Sequence, residues 1–207
     1  MSHAVQLRLR KSLMTQAGYS LIELMLVTGI MGVVTGIAVV QIGSSKQGLN
    51  GDGAMRVVLS QANQARELAI TQRRNMRLSF TSPNLVQIMR EEVPWPTPAG
   101  PPTLTTISSV PFEGGLKFMT IAPSVSTPTP EDNGNSSAVS FSNANGVATE
   151  IKFAPDGTLI DQKGDALNGT VFVALPNQTL SARAVTFFGS TGRIRAYRWD
   201  GRSWKTV

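Results

Sequence analysis

The chain has 207 residues and a formal net charge of +6, which leaves room for one modest globular domain beside a membrane segment. It has no Cys, and its one His, His3, lies near the start. Disulfides, thiolate nucleophiles, imidazole bases and the usual zinc ligands are therefore missing from the bulk of the chain. This composition predicts a protein that is not an enzyme and that holds no metal or cofactor.

Residues 1–18 are predicted to form a basic leader, which carries Arg8, Arg10 and Lys11 and ends at Gly18. A cationic flank followed by a small hinge and an apolar run is typical of an export signal. Unlike in a secretory signal peptide, no small-x-small cleavage site follows the apolar run. Instead Gly18 precedes the run, and Glu23 lies five residues after that glycine.

The uncharged run from Leu24 to Ser45 predicts a transmembrane helix. It would span about 33 Å at about 1.5 Å per residue, against a bilayer core of about 30 Å. Glu23 lies at the entrance of this helix, where an unpaired carboxylate is costly and needs a cationic partner. Cleavage after Gly18 would free the α-amino group of Tyr19, and this amine would neutralise Glu23 of a neighbouring subunit.

These residues resemble the class III prepilins, the precursors of type IV pilins and of type II secretion pseudopilins. The resemblance implies that a prepilin peptidase cuts after Gly18 and that the new N-terminus, Tyr19, is methylated. The usual residue of the family at that position is Phe. It also implies that Glu23 is the glutamate needed for assembly. An ordinary signal anchor, in which Glu23 stands by chance, is the alternative.

Three glycines follow within the apolar helix, at Gly29, Gly32 and Gly36, and the last two form a G-x-x-x-G motif. Such spacing lets helix backbones approach closely in apolar surroundings, which favours helix packing in a filament. Glycine is also frequent in membrane helices in general, so composition alone is the second interpretation.

A glycine-rich polar stretch from Gly43 to Gly53 predicts that the helix weakens or breaks there, because each interior Gly costs about 1 kcal/mol relative to Ala. From Ala54 to Arg74 an amphipathic helix is predicted. Its apolar residues recur at i, i+3 and i+4, namely Met55, Val58, Leu59, Ala62, Ala65, Leu68 and Ala69.

The rest of the chain predicts strands, at residues 75–80, 85–91, 116–121, 150–153, 158–161, 170–175, 182–188, 193–199 and 202–207. Residues 93–111 and 123–146 are rich in Pro, Ser and Thr and are predicted to be long exposed loops, either a variable contact surface or disordered. The expected fold is α+β, with a long N-terminal helix and a head of antiparallel sheet packed on it. The expected division is a leader at 1–18, a transmembrane and filament-packing helix at 19–45, and a periplasmic head at 46–207.

The C-terminal segments Ile151–Gly157, Val185–Phe187 and Gly189–Arg195 resemble those of the GspH/FimT group. This group contains minor pseudopilins of type II secretion and minor pilins of type IV pili. The resemblance implies a structural subunit of a pilus or pseudopilus, anchored by one span in a bacterial inner membrane with its head in the periplasm. The implied partners are the prepilin peptidase, other pilins or pseudopilins and the inner-membrane assembly platform, with no small-molecule substrate. The choice between the two machines stays open.

The last two predicted strands carry a basic stripe interleaved with aromatic residues, made of Arg193, Arg195, Arg198, Arg202 and Lys205. Strand geometry places Arg193, Arg195, Tyr197 and Trp199 on one face and Arg198 on the other. Arginines contact phosphates, and exposed aromatic rings stack on bases. Gly192–Arg195 also resembles the G-R-x-R element with which some FimT-type minor pilins hold DNA. DNA binding in natural transformation is therefore the alternative function, against an ordinary edge hairpin charged for solubility.

Overall fold

The computed structural model describes residues 19–92, 102–121, 130–132, 137–148 and 150–207. One α-helix and twelve strands are found in these ranges. They are α1 (Leu21–Gln72), β1 (Met76–Thr81), β2 (Leu85–Glu92), β3 (Thr103–Pro111), β4 (Lys117–Phe118), β5 (Val139–Asn143), β6 (Gly146–Val147), β7 (Lys152–Phe153), β8 (Leu159–Ile160), β9 (Asn168–Leu175), β10 (Gln178–Phe188), β11 (Arg193–Trp199) and β12 (Trp204–Thr206). The chain divides into two units, one ending at Ile42 and the other running from Gly43 to Val207.

The second unit is built around the C-terminal part of α1. The small and apolar side chains of this part form a buried stripe, namely Ala54, Met55, Val58, Ala62, Ala65 and Ala69. The predicted amphipathic pattern is confirmed, because these residues join the main hydrophobic cluster of the head. The helix ends at Gln72, two residues before the predicted Arg74, because Arg73 has a positive φ of 52° that cannot continue an α-helix.

The glycine-rich stretch does not interrupt α1, so of the two expectations for Gly43 to Gly53, a weaker helix or a break, the break is wrong. Gly51 shows the physical reason. A Cβ atom at this position would lie 2.4 Å from the carbonyl oxygen of Ser181 in β10, so glycine allows the helix to approach the strand backbone. The packing gained there offsets the low helix propensity of glycine.

Two antiparallel sheets, rather than the one expected, form the head. The first has five strands in the order β3-β2-β1-β7-β8, and the second has seven, in the order β12-β11-β10-β9-β5-β6 with β4 also on β9. Both sheets contribute to one core, for example Leu78 and Ile88 from the first and Val171 and Phe187 from the second. The α+β class and the antiparallel head are confirmed.

Strands also occur where long loops were predicted. β3 lies in the segment 93–111, β5 lies within the segment 123–146, and β6 begins at the last residue of that segment. The prolines explain the error, because they crowd the ends of these segments while 103–110 and 137–147 are free of proline. The predicted strand at 116–121 is shorter, since only Lys117–Phe118 pair as β4.

The outer face of the second sheet carries a separate aromatic cluster. Trp199 and Tyr197 of β11 are buried there with Phe172 of β9, and Trp204 packs against both parts of the cluster. The rings of Trp199 and Trp204 meet edge to face with centroids 5.4 Å apart. Most aromatic residues of the C-terminal stripe therefore serve packing.

Candidate functional sites

The N-terminal site lies at the start of α1. Ser20 precedes the helix and its carbonyl accepts the amide proton of Leu24 at 3.1 Å, while Tyr19 is almost fully exposed. Gly18 and the leader before it lie outside the described residues. Glu23 lies in the first turn, where the helix dipole favours a carboxylate.

Glu23 has no ion-pair partner among the residues that the structure describes. It stands within an apolar stretch, Leu21–Val39, of mean hydropathy 2.1. A carboxylate in such surroundings loses its hydration once the stretch is covered, so covering it requires a compensating positive charge.

The stretch Leu21–Val39 is the one described helix segment that is long and apolar enough to cross a membrane, and none of it is buried in the structure. Its large side chains are all exposed, among them Leu21, Ile22, Leu24, Met25, Leu26, Ile30, Met31, Val33, Val34 and Ile37. An apolar surface of this extent in contact with water is unfavourable, and it indicates a surface that lipid or another chain covers.

The three glycines of this stretch face open space. A Cβ atom at Gly29, Gly32 or Gly36 would meet nothing within 4 Å outside the helix itself. The chain's own packing therefore does not require glycine at these positions. Both interpretations, contact with another helix and the general composition of membrane helices, remain predictions.

The C-terminal hairpin brings part of the basic stripe together. β10 and β11 pair so that Thr186 lies opposite Arg195 and Ala184 opposite Tyr197. A 3₁₀ turn, Gly189–Thr191, joins them and is closed by Gly192 with a φ of 62°. Arg193, Arg195 and Tyr197 consequently point to one face of the sheet, as the alternation predicts.

A carboxylate that sequence reasoning missed occupies this face. Glu131 Oε1 accepts from Arg193 Nη2 at 3.0 Å, Arg195 Nη1 at 3.1 Å and Tyr197 Oη at 3.3 Å. Its second oxygen accepts from Thr186 Oγ1 at 3.1 Å. Glu131 was hidden in a segment predicted to be a loop, and nothing in the local sequence links it to β11.

The other basic residues are not brought together with this pair. Arg198 points to the opposite face and binds Asp52 at 2.6 Å, and Lys205 lies 3.9 Å from Asp200. Arg202 forms no ion pair with any residue in the described ranges. The stripe is therefore split between two faces, and most of its charges already have carboxylate partners.

A second missed site joins the helix to the sheet of the head. Arg183 of β10 is 1% exposed, and its Nε donates to Asp52 Oδ1 at 2.6 Å. The other Asp52 oxygen accepts from Arg198, which pairs directly opposite Arg183 across the two strands. Asp52 thus lies between two like charges and offsets their mutual repulsion, although the three groups together keep a net charge of +1.

Backbone carbonyls complete the surroundings of Arg183. Its guanidinium also donates to the carbonyl oxygens of Gly48 at 2.9 Å, Leu180 at 2.9 Å and Ala182 at 2.8 Å. Burial, opposed by the hydrogen bond with Asp52, lowers the pKa of Arg183. The sequence did contain one signal for this site, a single charged residue inside the apolar strand Ala182–Phe188. A charge in such a strand requires a buried partner.

No group of three or more His, Cys, Asp or Glu side chains that could hold a metal ion is found in the described ranges. Three aspartates, Asp156, Asp161 and Asp200, instead accept hydrogen bonds from backbone amides within turns. Asp161 is buried, and hydrogen bonds from the Asn143 side chain and then from backbone amides hold its pKa below the ordinary value.

No protein-family model and no curated protein matches this chain. Among solved structures, the chain is similar to the crystal structure of the type IV minor pilin FimU of Pseudomonas aeruginosa (strain PAO1), with 15% sequence identity and a TM-score of 0.40. The similarity covers 69% of this chain and 84% of the FimU chain.

Proposed function

We propose that this protein is a minor pilin or pseudopilin, a structural subunit that is anchored in a bacterial inner membrane and then assembled into a filament. The observation that carries the proposal is the fully exposed apolar helix Leu21–Val39, followed by a head with a core of its own. The head needs nothing from this helix for its core, so the exposed surface is available to lipid first and to neighbouring helices afterwards.

In this proposal the prepilin peptidase removes residues 1–18 and the amino group of Tyr19 becomes free and methylated. The amine is a cation in the same apolar surroundings as Glu23 of a neighbouring subunit. Pairing the two removes the cost of an isolated carboxylate in an apolar environment, and it sets the axial position of one helix against the next. Other pilins or pseudopilins and the inner-membrane assembly platform are the partners, and the head faces the periplasm.

The test separates processing from assembly. Glu23→Ala should still lose its leader, seen as a mass decrease in membranes, but should be absent from sheared or overexpressed filaments. Glu67→Ala is the matched control, because Glu67 is an exposed glutamate of the same helix within the head. Incorporation of Glu23→Ala at the level of the control would refute the pairing, and failure of both variants would refute a specific role for Glu23.

DNA binding by the C-terminal hairpin remains a prediction and is not adopted as a second function. The two arginines named by the G-R-x-R resemblance, Arg193 and Arg195, already share the carboxylate of Glu131. A DNA phosphate would have to compete with this internal anion.

A further inference from the structure

Two asparagine side chains tie the hairpin β5–β6 to the turn that follows β8. Asn143 Nδ2 donates to Asp161 Oδ2 at 2.9 Å, and Asn145 Nδ2 donates to Asp165 Oδ2 at 2.7 Å. Both contacts need an amide on the hairpin, because an ionised carboxylate in its place has no hydrogen to donate. The position of the hairpin against this turn therefore depends on the two asparagines keeping their amide groups.

Asn145 is followed by a glycine, and this order of residues makes its amide chemically labile. A glycine leaves the backbone nitrogen after the asparagine unshielded, so this nitrogen can attack the side-chain Cγ atom. The sequence contains four Asn–Gly pairs. Three of them, which begin at Asn50, Asn145 and Asn168, lie in the described ranges, and the pair that begins at Asn133 lies outside them.

The surroundings of the three described glycines differ. A Cβ atom at Gly51 would lie 2.4 Å from the carbonyl oxygen of Ser181, and one at Gly169 would lie 2.2 Å from the ring of Phe141. A Cβ atom at Gly146 would meet nothing within 4 Å. The close contacts hold the backbone of the first two glycines in place, whereas the backbone at Gly146 has room to move.

Secondary structure adds to this difference. Gly51 lies inside the long helix α1, and Gly169 lies in β9, which has strand partners on both sides. Gly146 begins the two-residue strand β6, which is at one end of its sheet and is exposed. A short exposed strand opens at a lower free-energy cost than a helix or a central strand. Of the three pairs, the one at Asn145 is thus the most accessible to the reaction.

We propose that Asn145 is a site of spontaneous deamidation, which converts it to a mixture of aspartate and isoaspartate. The backbone nitrogen of Gly146 loses its proton and attacks Asn145 Cγ. The bond between Cγ and Nδ2 then breaks, and Nδ2 leaves as ammonia. Water opens the resulting cyclic imide at either carbonyl carbon: attack at Cγ gives aspartate, and attack at the main-chain carbonyl carbon gives isoaspartate. Water is the one co-reactant that the change consumes.

The product loses one of the two ties. A carboxylate at residue 145 cannot donate to Asp165, and two ionised carboxylates in this position repel each other. Isoaspartate also adds a methylene group to the backbone at the hairpin turn. The aged hairpin is then held by the contact between Asn143 and Asp161 alone, and it carries one more negative charge. The modification would mark older copies of the chain without the action of an enzyme.

The first test is peptide mapping by mass spectrometry of the purified full chain in detergent, after incubation at mildly alkaline pH. Deamidation at Asn145 should be at least about tenfold faster than at Asn50 or Asn168, because these two require a helix or a central strand to open. Fragment ions separate Asn145 from Asn133 and from Asn143. Asn143 is the matched control in the same hairpin, since alanine follows it, and it should keep its amide.

Incubation in concentrated urea supplies the second control. There the described Asn–Gly pairs should deamidate at similar rates, which shows that the fold is the cause of the difference. A folded chain in which Asn145 deamidates no faster than Asn50 and Asn168 would overturn the proposal. So would a rate at Asn145 that falls to the level of Asn143.

The loss of the tie is tested with Asn145→Asp, which reproduces one of the two products. Hydrogen exchange at the amides of residues 146–148 should become about fivefold faster or more, because the hairpin loses a charge-assisted hydrogen bond. The double variant Asn145→Asp with Asp165→Asn exchanges donor and acceptor, so it should restore the slow exchange. Exchange that is unchanged in the single variant, or that the double variant does not restore, would refute the release of the hairpin.

Discussion

The contact between Asp52 and Arg183 provides the sharpest test of how the head is held together. The change Asp52→Asn keeps the shape of the side chain and removes one negative charge. It leaves the guanidinium of Arg183 buried, with Arg198 directly opposite and no carboxylate between them. The three backbone carbonyls that bind Arg183 are dipoles and only partly replace a full charge.

The size of the effect follows from these contacts. Removing one partner of a buried ion pair costs about 3–5 kcal/mol, and the remaining carbonyl acceptors place this case near 3. The exposed pair with Arg198 adds up to about 1 kcal/mol. Asp52→Asn should therefore lower the free energy of unfolding by about 3–4 kcal/mol, a large part of the 5–15 kcal/mol that is typical of a domain.

The assay is urea unfolding of a shortened form that begins at Gly43. Unfolding is monitored by tryptophan fluorescence, to which Trp95, Trp199 and Trp204 contribute. All of the main hydrophobic cluster lies after this residue, so the form retains the complete core. Arg198→Ala isolates the exposed pair and should cost no more than about 1 kcal/mol.

The decisive comparison is the double variant Asp52→Asn with Arg183→Met. Methionine removes the stranded charge and fills much of the same space, so the double variant should be more stable than Asp52→Asn alone. A loss below about 1 kcal/mol for Asp52→Asn, or a double variant that is less stable than the single one, would refute the reasoning.

Three further predictions concern the helix contact, the basic face and the turn at Asp161. Gly51→Ala should lower the free energy of unfolding by about 1–3 kcal/mol in the same assay, because the added Cβ would lie 2.4 Å from the carbonyl oxygen of Ser181. Gly53→Ala should raise it by up to about 1 kcal/mol, because a Cβ there meets nothing within 4 Å. Equal effects of the two changes would exclude the close approach as the cause. Glu131→Gln should strengthen the retardation of DNA in a gel shift at low salt and steepen the slope of log K for DNA binding against log salt concentration by about 1–2. Changing both Arg193 and Arg195 to Ala should abolish this effect. No retardation with any variant would exclude the DNA alternative. Folding lowers the pKa of Asp161, so its contribution to stability is present above the unfolded pKa of about 3.9 and is lost as the pH falls through the folded pKa. Asp161→Asn should therefore flatten the decline of the urea midpoint below about pH 4. An unchanged decline would contradict this prediction.

The sequence predicted best those elements whose signal is local. The amphipathic pattern from Ala54 and the C-terminal strands each show their own periodicity, and the structure contains these elements near the predicted positions, although one continuous helix joins the amphipathic part to the apolar run before it. β11, predicted at 193–199, has these same bounds. Composition misled at β3, because the prolines lie at residues 94–102 and 111 while residues 103–110 between them contain none.

Contacts between distant parts of the chain had no such signal. Asp52 and Arg183 are 131 residues apart, and Glu131 lies more than 60 residues before Arg193 and Arg195. Local propensity also failed at Gly51, where the cost of glycine in a helix is visible in the sequence but the strand that it meets is not. In each case the missing information was which segment packs against which.

Arg183 and Glu131 also show what a charge pattern can and cannot indicate. A charge within an apolar strand requires a buried partner, so the sequence alone implied that Arg183 has one without naming it. Arginines on an exposed strand face carry no such requirement, and Arg193 and Arg195 fit a phosphate or a carboxylate equally well. In the structure the anion is the carboxylate of Glu131, so this internal contact is the first explanation of the pair Arg193 and Arg195. A DNA phosphate would have to displace that carboxylate in order to bind the two arginines.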